Sequence, residues 1–197
     1  MGEATIHLNR WGLERGRTGA AVAAAAAIVL PLAFWIGLER LVGDTTEQFA
    51  QGETVQLESY PVGDVHLQFL PPGPGWSSEL SLSRHRITVD RGRTSATVQV
   101  DAGVDSLERL LERRAERLTA GRPGIAVTNV REYYNEVNGL EGFRADLYGR
   151  NLAGSIVVVG GGDGAAATLI LLAPTGRLED DAADADAFVS SFVLADE

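Results

Sequence analysis

Arg84, Arg86, Arg91 and Arg93 flank a turn candidate, Asp90-Arg91-Gly92-Arg93. Residues two apart lie on one face of a strand, so this spacing predicts a shared side of a hairpin. Such a side would hold an anionic glycan or an acidic partner. The competing reading, which the sequence favours, is a solvated edge whose charge discourages strand pairing. Tyr133 and Tyr134 read equally as aromatic contact points or as core, whereas Trp76, which follows a Pro-Gly run, reads as core.

The remaining reactive residues assemble no catalytic pattern. The three histidines are His7, His66 and His85. A metal site needs several converging ligands, and these are scattered. No Gly-x-Ser-x-Gly elbow surrounds a serine, and no pair of acids stands out as an acid and base. The run from Gly160 to Gly164 lacks the lysine of a phosphate loop and leads into an apolar strand, so it reads as a hairpin turn. Catalytic, metal and cofactor residues are therefore assigned to none, and the chain is read as not an enzyme. A cell-wall hydrolase is the disfavoured alternative.

The element that would place these residues in a compartment is residues 19–38, an uncharged stretch. At ~1.5 Å per residue, a helix of that length matches the hydrocarbon core of a bilayer. Pro31 would kink it and Trp35 would sit at an interface. Arg10, Arg15 and Arg17 precede the stretch and Arg40 follows it, a positive-inside bias that predicts a cytoplasmic N-terminus. Glu39-Arg40-Leu41 offers no small-x-small cleavage site, which favours an uncleaved signal anchor over a removed signal peptide or a buried soluble helix. The expected organisation is a cytoplasmic segment at 1–18, a membrane anchor at 19–41, a juxtamembrane linker at 42–56 and an extracytoplasmic domain at 57–197.

Composition limits what that domain does. The chain has no cysteine, so it has no disulfide, thiolate metal site or acylated cysteine. All 17 of its basic residues are arginine, a bias of high-GC genomes, and the net charge is -10. So acidic a domain is a poor binder of nucleic acid, which needs clustered cations. Its folding rests on apolar packing.

Within the domain, Val65, Leu67 and Phe69 alternate with His66 and Gln68, a half-buried strand that stops at Pro71-Pro72-Gly73-Pro74-Gly75. Further strands are predicted at 55–57, 79–83, 87–89, 94–100, 125–130, 142–148, 155–159 and 166–172, with alternation clearest at 79–83 and 94–100, and the last one central because its run 168–172 is apolar on both faces. Asp105, with Glu108 three residues on, predicts the N-cap of a helix over 105–118 striped by Leu107, Leu110, Leu111, Ala115 and Leu118. A second amphipathic helix is predicted over 178–192. Grouped strands with few helices predict an α+β domain with an antiparallel sheet and two packed amphipathic helices.

This order resembles the PsbP-like fold, which includes the photosystem extrinsic protein and actinobacterial lipoproteins of the LpqN type. The residues that carry the resemblance are the strand ending in Pro-Gly-Trp at 70–76, the capped helix from Asp105, and Gly139 or Gly142 opening a three-stranded meander. Leu172-Ala173-Pro174 and a closing helix with Ser191-Phe192 complete it. The resemblance implies an extracytoplasmic binding or accessory domain without catalysis. The lipoproteins are held by an acylated cysteine, which this chain lacks; the helix would replace it. The expected partners are the membrane and an envelope or membrane protein, with a small apolar ligand as a further option. The alternative is a structural subunit whose span packs through Gly19, Ala23 and Ala27.

Overall fold

Alternating apolar residues build most of this molecule. The computed structural model describes residues 27–31, 46–60, 64–79, 83–161 and 164–196, without the side chains of 46, 47, 79, 177–181 and 196. The chain divides into two units, Met1–Thr45 and Thr46–Glu197. In the first, residues 27–31 are helical and exposed. The rest of the predicted anchor at 19–41 lies outside the described residues, as does His7. Among the described residues, no helix is long and apolar enough to cross a membrane.

The second unit is α+β. In chain order its elements are β1 (Thr46–Gln48), β2 (Val55–Glu58), β3 (Val65–Phe69), β4 (Ser77–Glu79), β5 (Arg86–Arg91), β6 (Thr94–Asp101), α1 (Leu107–Gly121), β7 (Ala126–Tyr134), β8 (Glu141–Tyr148), β9 (Leu152–Gly160), β10 (Ala166–Pro174), a 3-10 turn (Thr175–Arg177), α2 (Leu178–Ser190) and β11 (Val193–Asp196). Eight strands form one sheet in the order β1-β4-β5-β6-β10-β9-β8-β7, and β11-β3-β2 form a second. The strand pairs are antiparallel throughout. β10 lies between β6 and β9, as its two apolar faces predict, and β9 and β10 pair antiparallel as consecutive strands; residues 162 and 163 of the predicted turn lie outside the described residues.

The large sheet is covered on both faces. On one face, Val89, Ala96, Val98, Val157, Leu169 and Leu171 pack with the small sheet (Leu57, Leu67, Phe69) and with Phe188, Val189 and Phe192 of the C-terminal segment. Trp76 closes this core, its ring 5.0 Å from that of Phe188 in an edge-on pair. Each such fully buried large side chain contributes about 1.5–3 kcal/mol. On the other face, Leu110 and Leu111 of α1 pack on Ala145, Leu147, Ile156 and Val158. Arg114 of α1 adds a two-pronged bond to Asp101 of β6, at 2.6 and 2.7 Å.

Several boundaries differ from the sequence reading. The cap of α1 is Ser106 instead of Asp105: its backbone is extended and its Oγ accepts from the Arg109 backbone N–H at 3.3 Å. The predicted linker at 42–56 contains β1, which pairs with β4, and Val55 of β2 is core, so the domain begins before residue 57. The strand predicted over 79–83 pairs instead through residues 77–79; 80–82 lie outside the described residues, and Ser83 is not in a strand. α2 stops at Ser190, and the chain after Phe192 turns into β11 alongside β3. β7 runs on to Tyr134 and takes in both tyrosines.

Candidate functional site

The predicted arginine surface does not assemble. In β5 the core-facing positions are Ile87, Val89 and Arg91, and the solvent-facing ones are Arg86, Thr88 and Asp90. Arg86 and Arg91 are an odd number of residues apart, so strand alternation sends them to opposite faces. Arg84 is exposed before the strand and reaches Glu58 at 3.5 Å. Arg93 is exposed in the β5–β6 turn. Arg91 is structural: it pairs with Asp184 of α2, donates to the Pro72 carbonyl at 3.2 Å and lies over the Trp76 ring at 4.6 Å.

The β7–β8 hairpin carries the remaining candidates, and it separates Tyr133 from Tyr134. The register pairs Arg131 with Arg144 and Tyr133 with Gly142 on one face, and Glu132 with Phe143 and Tyr134 with Glu141 on the other. A β-bulge lies between Thr128 and Arg131, where Asn129 takes a positive φ of 54°.

The Tyr133 face is a polar network beside α2. Arg144, nearly buried, donates to Asp186 at 2.9 Å, and the Tyr133 hydroxyl donates to the same oxygen at 3.1 Å. Asn135 donates to the Tyr133 oxygen at 3.2 Å and to Ser190 Oγ at 2.9 Å. Asn138 donates to the carbonyls of Val189 and Phe192, capping the end of α2. Burial pushes the Tyr133 phenol up; the Asn135 bond works against this, and the Asp186 charge adds to it. Farther along, Arg131 bonds both oxygens of Asp146 at 3.1 and 3.0 Å, and Asn129 donates to one of them at 2.7 Å. Burial pulls the Asp146 carboxyl up, but the bonds from Arg131 and Asn129 outweigh it and hold the group below its ordinary range. A cleft of about 230 Å3 opens here between Arg131, Arg144, Asp146, Tyr148 and Ala182. Its charges are already matched in pairs. Sequence reasoning missed this network because its partners are distant in the chain: Arg144 and Asp186 are 42 residues apart.

The Tyr134 face is open. Glu132, Tyr133 and Tyr134 of β7, Glu141, Gly142 and Phe143 of β8 and Leu107 of α1 line a groove of about 540 Å3, to which Glu132, Tyr134, Glu141 and Phe143 belong by register. A second hollow of about 410 Å3 shares Leu107 and Glu141 and extends to Gly160, Gly161 and Gly164. Among the described residues, neither Glu132 nor Glu141 has an ion-pair partner. Tyr134 is 59% exposed at the rim.

The described residues contain one serine–histidine contact, Ser83 Oγ to His85 Nδ1 at 3.2 Å, between neighbours in a single bend. A hydrolytic triad needs a third group on the other ring nitrogen, and no described carboxylate is placed there. The Tyr60 ring lies 5.7 Å from the His85 ring. Among the described residues, no group of three or more His, Cys, Asp or Glu converges as metal ligands do.

No family model and no curated protein matches this chain. Among solved structures, it is similar to a crystal structure from Bacteroides thetaiotaomicron VPI-5482, with 10% identity and a TM-score of 0.38. That likeness covers 75% of this chain and 49% of the other, so the chain spans about half the length of the protein it matches. Similarity at that level carries no argument about architecture or activity.

Proposed function

We propose that this chain is a membrane-tethered accessory or binding domain of the cell envelope, non-catalytic and PsbP-like in architecture. Its N-terminus is cytoplasmic and its α+β unit is outside. The tether rests on the uncharged stretch at 19–38 and the arginines before it. The PsbP-like reading draws support from the element order: β3 leading to Trp76, a capped helix, the β8–β9–β10 meander and a closing helix.

The observation that carries a binding role is the contrast between the two faces of the β7–β8 hairpin. On one, ionisable groups are matched to one another as internal ties. On the other, a groove that joins Leu107, Tyr134 and Phe143 to two carboxylates without an ion-pair partner among the described residues stands open. Binding sites combine such walls with a few placed polar groups. The decisive experiment is sidedness. Protease added to intact spheroplasts should cut the α+β unit of the full-length chain. Protection until lysis would place the unit inside and overturn the proposal.

A further inference from the structure

We infer that the Tyr134 face of the β7–β8 hairpin takes an extended basic segment of a partner protein, added as a strand along β7. The inference rests on the binding role proposed above and supplies the chemistry of the partner. Three observations carry it.

First, β7 ends the large sheet, so one side of its backbone has no strand neighbour among the described residues. Such an edge is a template for an added strand. The bulge interrupts pairing between Thr128 and Arg131, but 131–134 keeps regular register with β8. Second, a strand laid beside 131–134 would send alternate side chains toward Glu132 and Tyr134, over the groove that Phe143 and Leu107 floor. Third, the charge there has one sign. Glu132 and Glu141 are unpaired among the described residues, and no arginine lines either hollow. A cation opposite Glu132 completes a cross-strand pair, and Tyr134 and Phe143 offer ring faces that favour a guanidinium. An acidic segment would meet like charge at both carboxylates. The aliphatic stems of those cations would cover Leu107 and Phe143, and the apolar residues between them would face the other side of the sheet.

The test uses the full chain in zwitterionic nanodiscs and a fluorescein-labelled hexapeptide of alternating arginine and valine, read by anisotropy. The expected result is saturable binding at least tenfold tighter than that of a glutamate–valine or serine–valine peptide, weakening as salt rises. Glu132→Gln with Glu141→Gln should weaken it at least tenfold. Glu112→Gln with Glu116→Gln, the same charge change on the exposed side of α1, should leave it unchanged. The charge-reversed pair Glu132→Arg and Glu141→Arg should switch the preference to the glutamate–valine peptide. Equal loss in both Gln pairs, no loss in either, or no preference among the peptides overturns the inference. So does displacement by arginine amide at the same arginine concentration, which would mean a free cation suffices. Self-association of the chain that E132Q/E141Q abolishes would make a second copy the occupant and overturn it equally. A failed titration with the domain outside removes the basic partner alone; protection from protease in spheroplasts removes the tethered-domain reading.

Discussion

Arg91 is the sharpest test of whether an arginine read from sequence as a ligand contact is instead a brace. Its guanidinium meets three groups at once: Asp184, the Pro72 carbonyl and the Trp76 ring. Replacing it with methionine keeps much of the stem and removes all three. The ion pair is partly exposed, at 29% and 16% for the two side chains, so screening limits it to about 1 kcal/mol. The stacking over Trp76 adds about 0.5–2 kcal/mol. The bond to Pro72 adds about 1.5 kcal/mol, though that carbonyl keeps the Trp76 Nε1–H at 2.9 Å and is not orphaned. These contributions share one side chain and do not add in full, so Arg91→Met should cost about 2–3 kcal/mol. At ~2–4 °C per kcal/mol for a domain of this size, the melting midpoint should fall by roughly 4–12 °C. Circular dichroism melts of the full chain in detergent measure it. Arg91→Lys should fall between, because an ammonium keeps the charge but not the planar stack. A loss for Arg91→Met below about 0.5 kcal/mol, the range of ordinary surface changes, would refute the brace.

Three other outcomes follow from packing and charge. Asp146 is held below its ordinary range, so its contribution is complete above the unfolded carboxylate value of about 3.9 and is lost as pH falls through the lower folded value. Asp146→Asn should therefore be less stable than the parent at neutral pH, and urea titrations should show the gap closing below about pH 4. A Cβ at Gly154 would stand 1.9 Å from the Leu171 carbonyl oxygen, so Gly154→Ala should lose cooperative melting or fail to accumulate folded. Gly121→Ala, with nothing within 4 Å and helical backbone, should gain about 0.4–1 kcal/mol.

Much of the framework was legible because it repeats locally. Val65, Leu67 and Phe69, then Ala96, Val98 and Val100, announce buried strand faces by alternation, and all six are core. The Leu110–Leu111 stripe announces α1, and the apolar run at 168–172 announces a central strand. What the sequence hid are elements defined by backbone pairing with little burial. β1 is a three-residue stretch of polar residues, and β11 leaves Val193 and Ala195 exposed, so neither carries a hydrophobic period. The site was legible only in part. Tyr134 was marked, but Glu132, Glu141, Phe143 and Leu107 become neighbours only through the β7–β8 register and the docking of α1. Of the arginines, only the pattern within β5 decides the placement: it separates Arg86 from Arg91, so the four do not share one side.

The lateness of β11 has a consequence for how a nascent copy matures. β3 pairs with β2, its near neighbour in the chain, but its other side waits for 193–196, made more than a hundred residues later. The Ser191 hydroxyl, which spans 121 residues to bond both the N–H and the carbonyl of Leu70, waits equally long. Until that stretch joins, half of β3 is a bare and sticky rim. Contacts so far apart slow closure, which makes this interval the moment when a chaperone has something to hold.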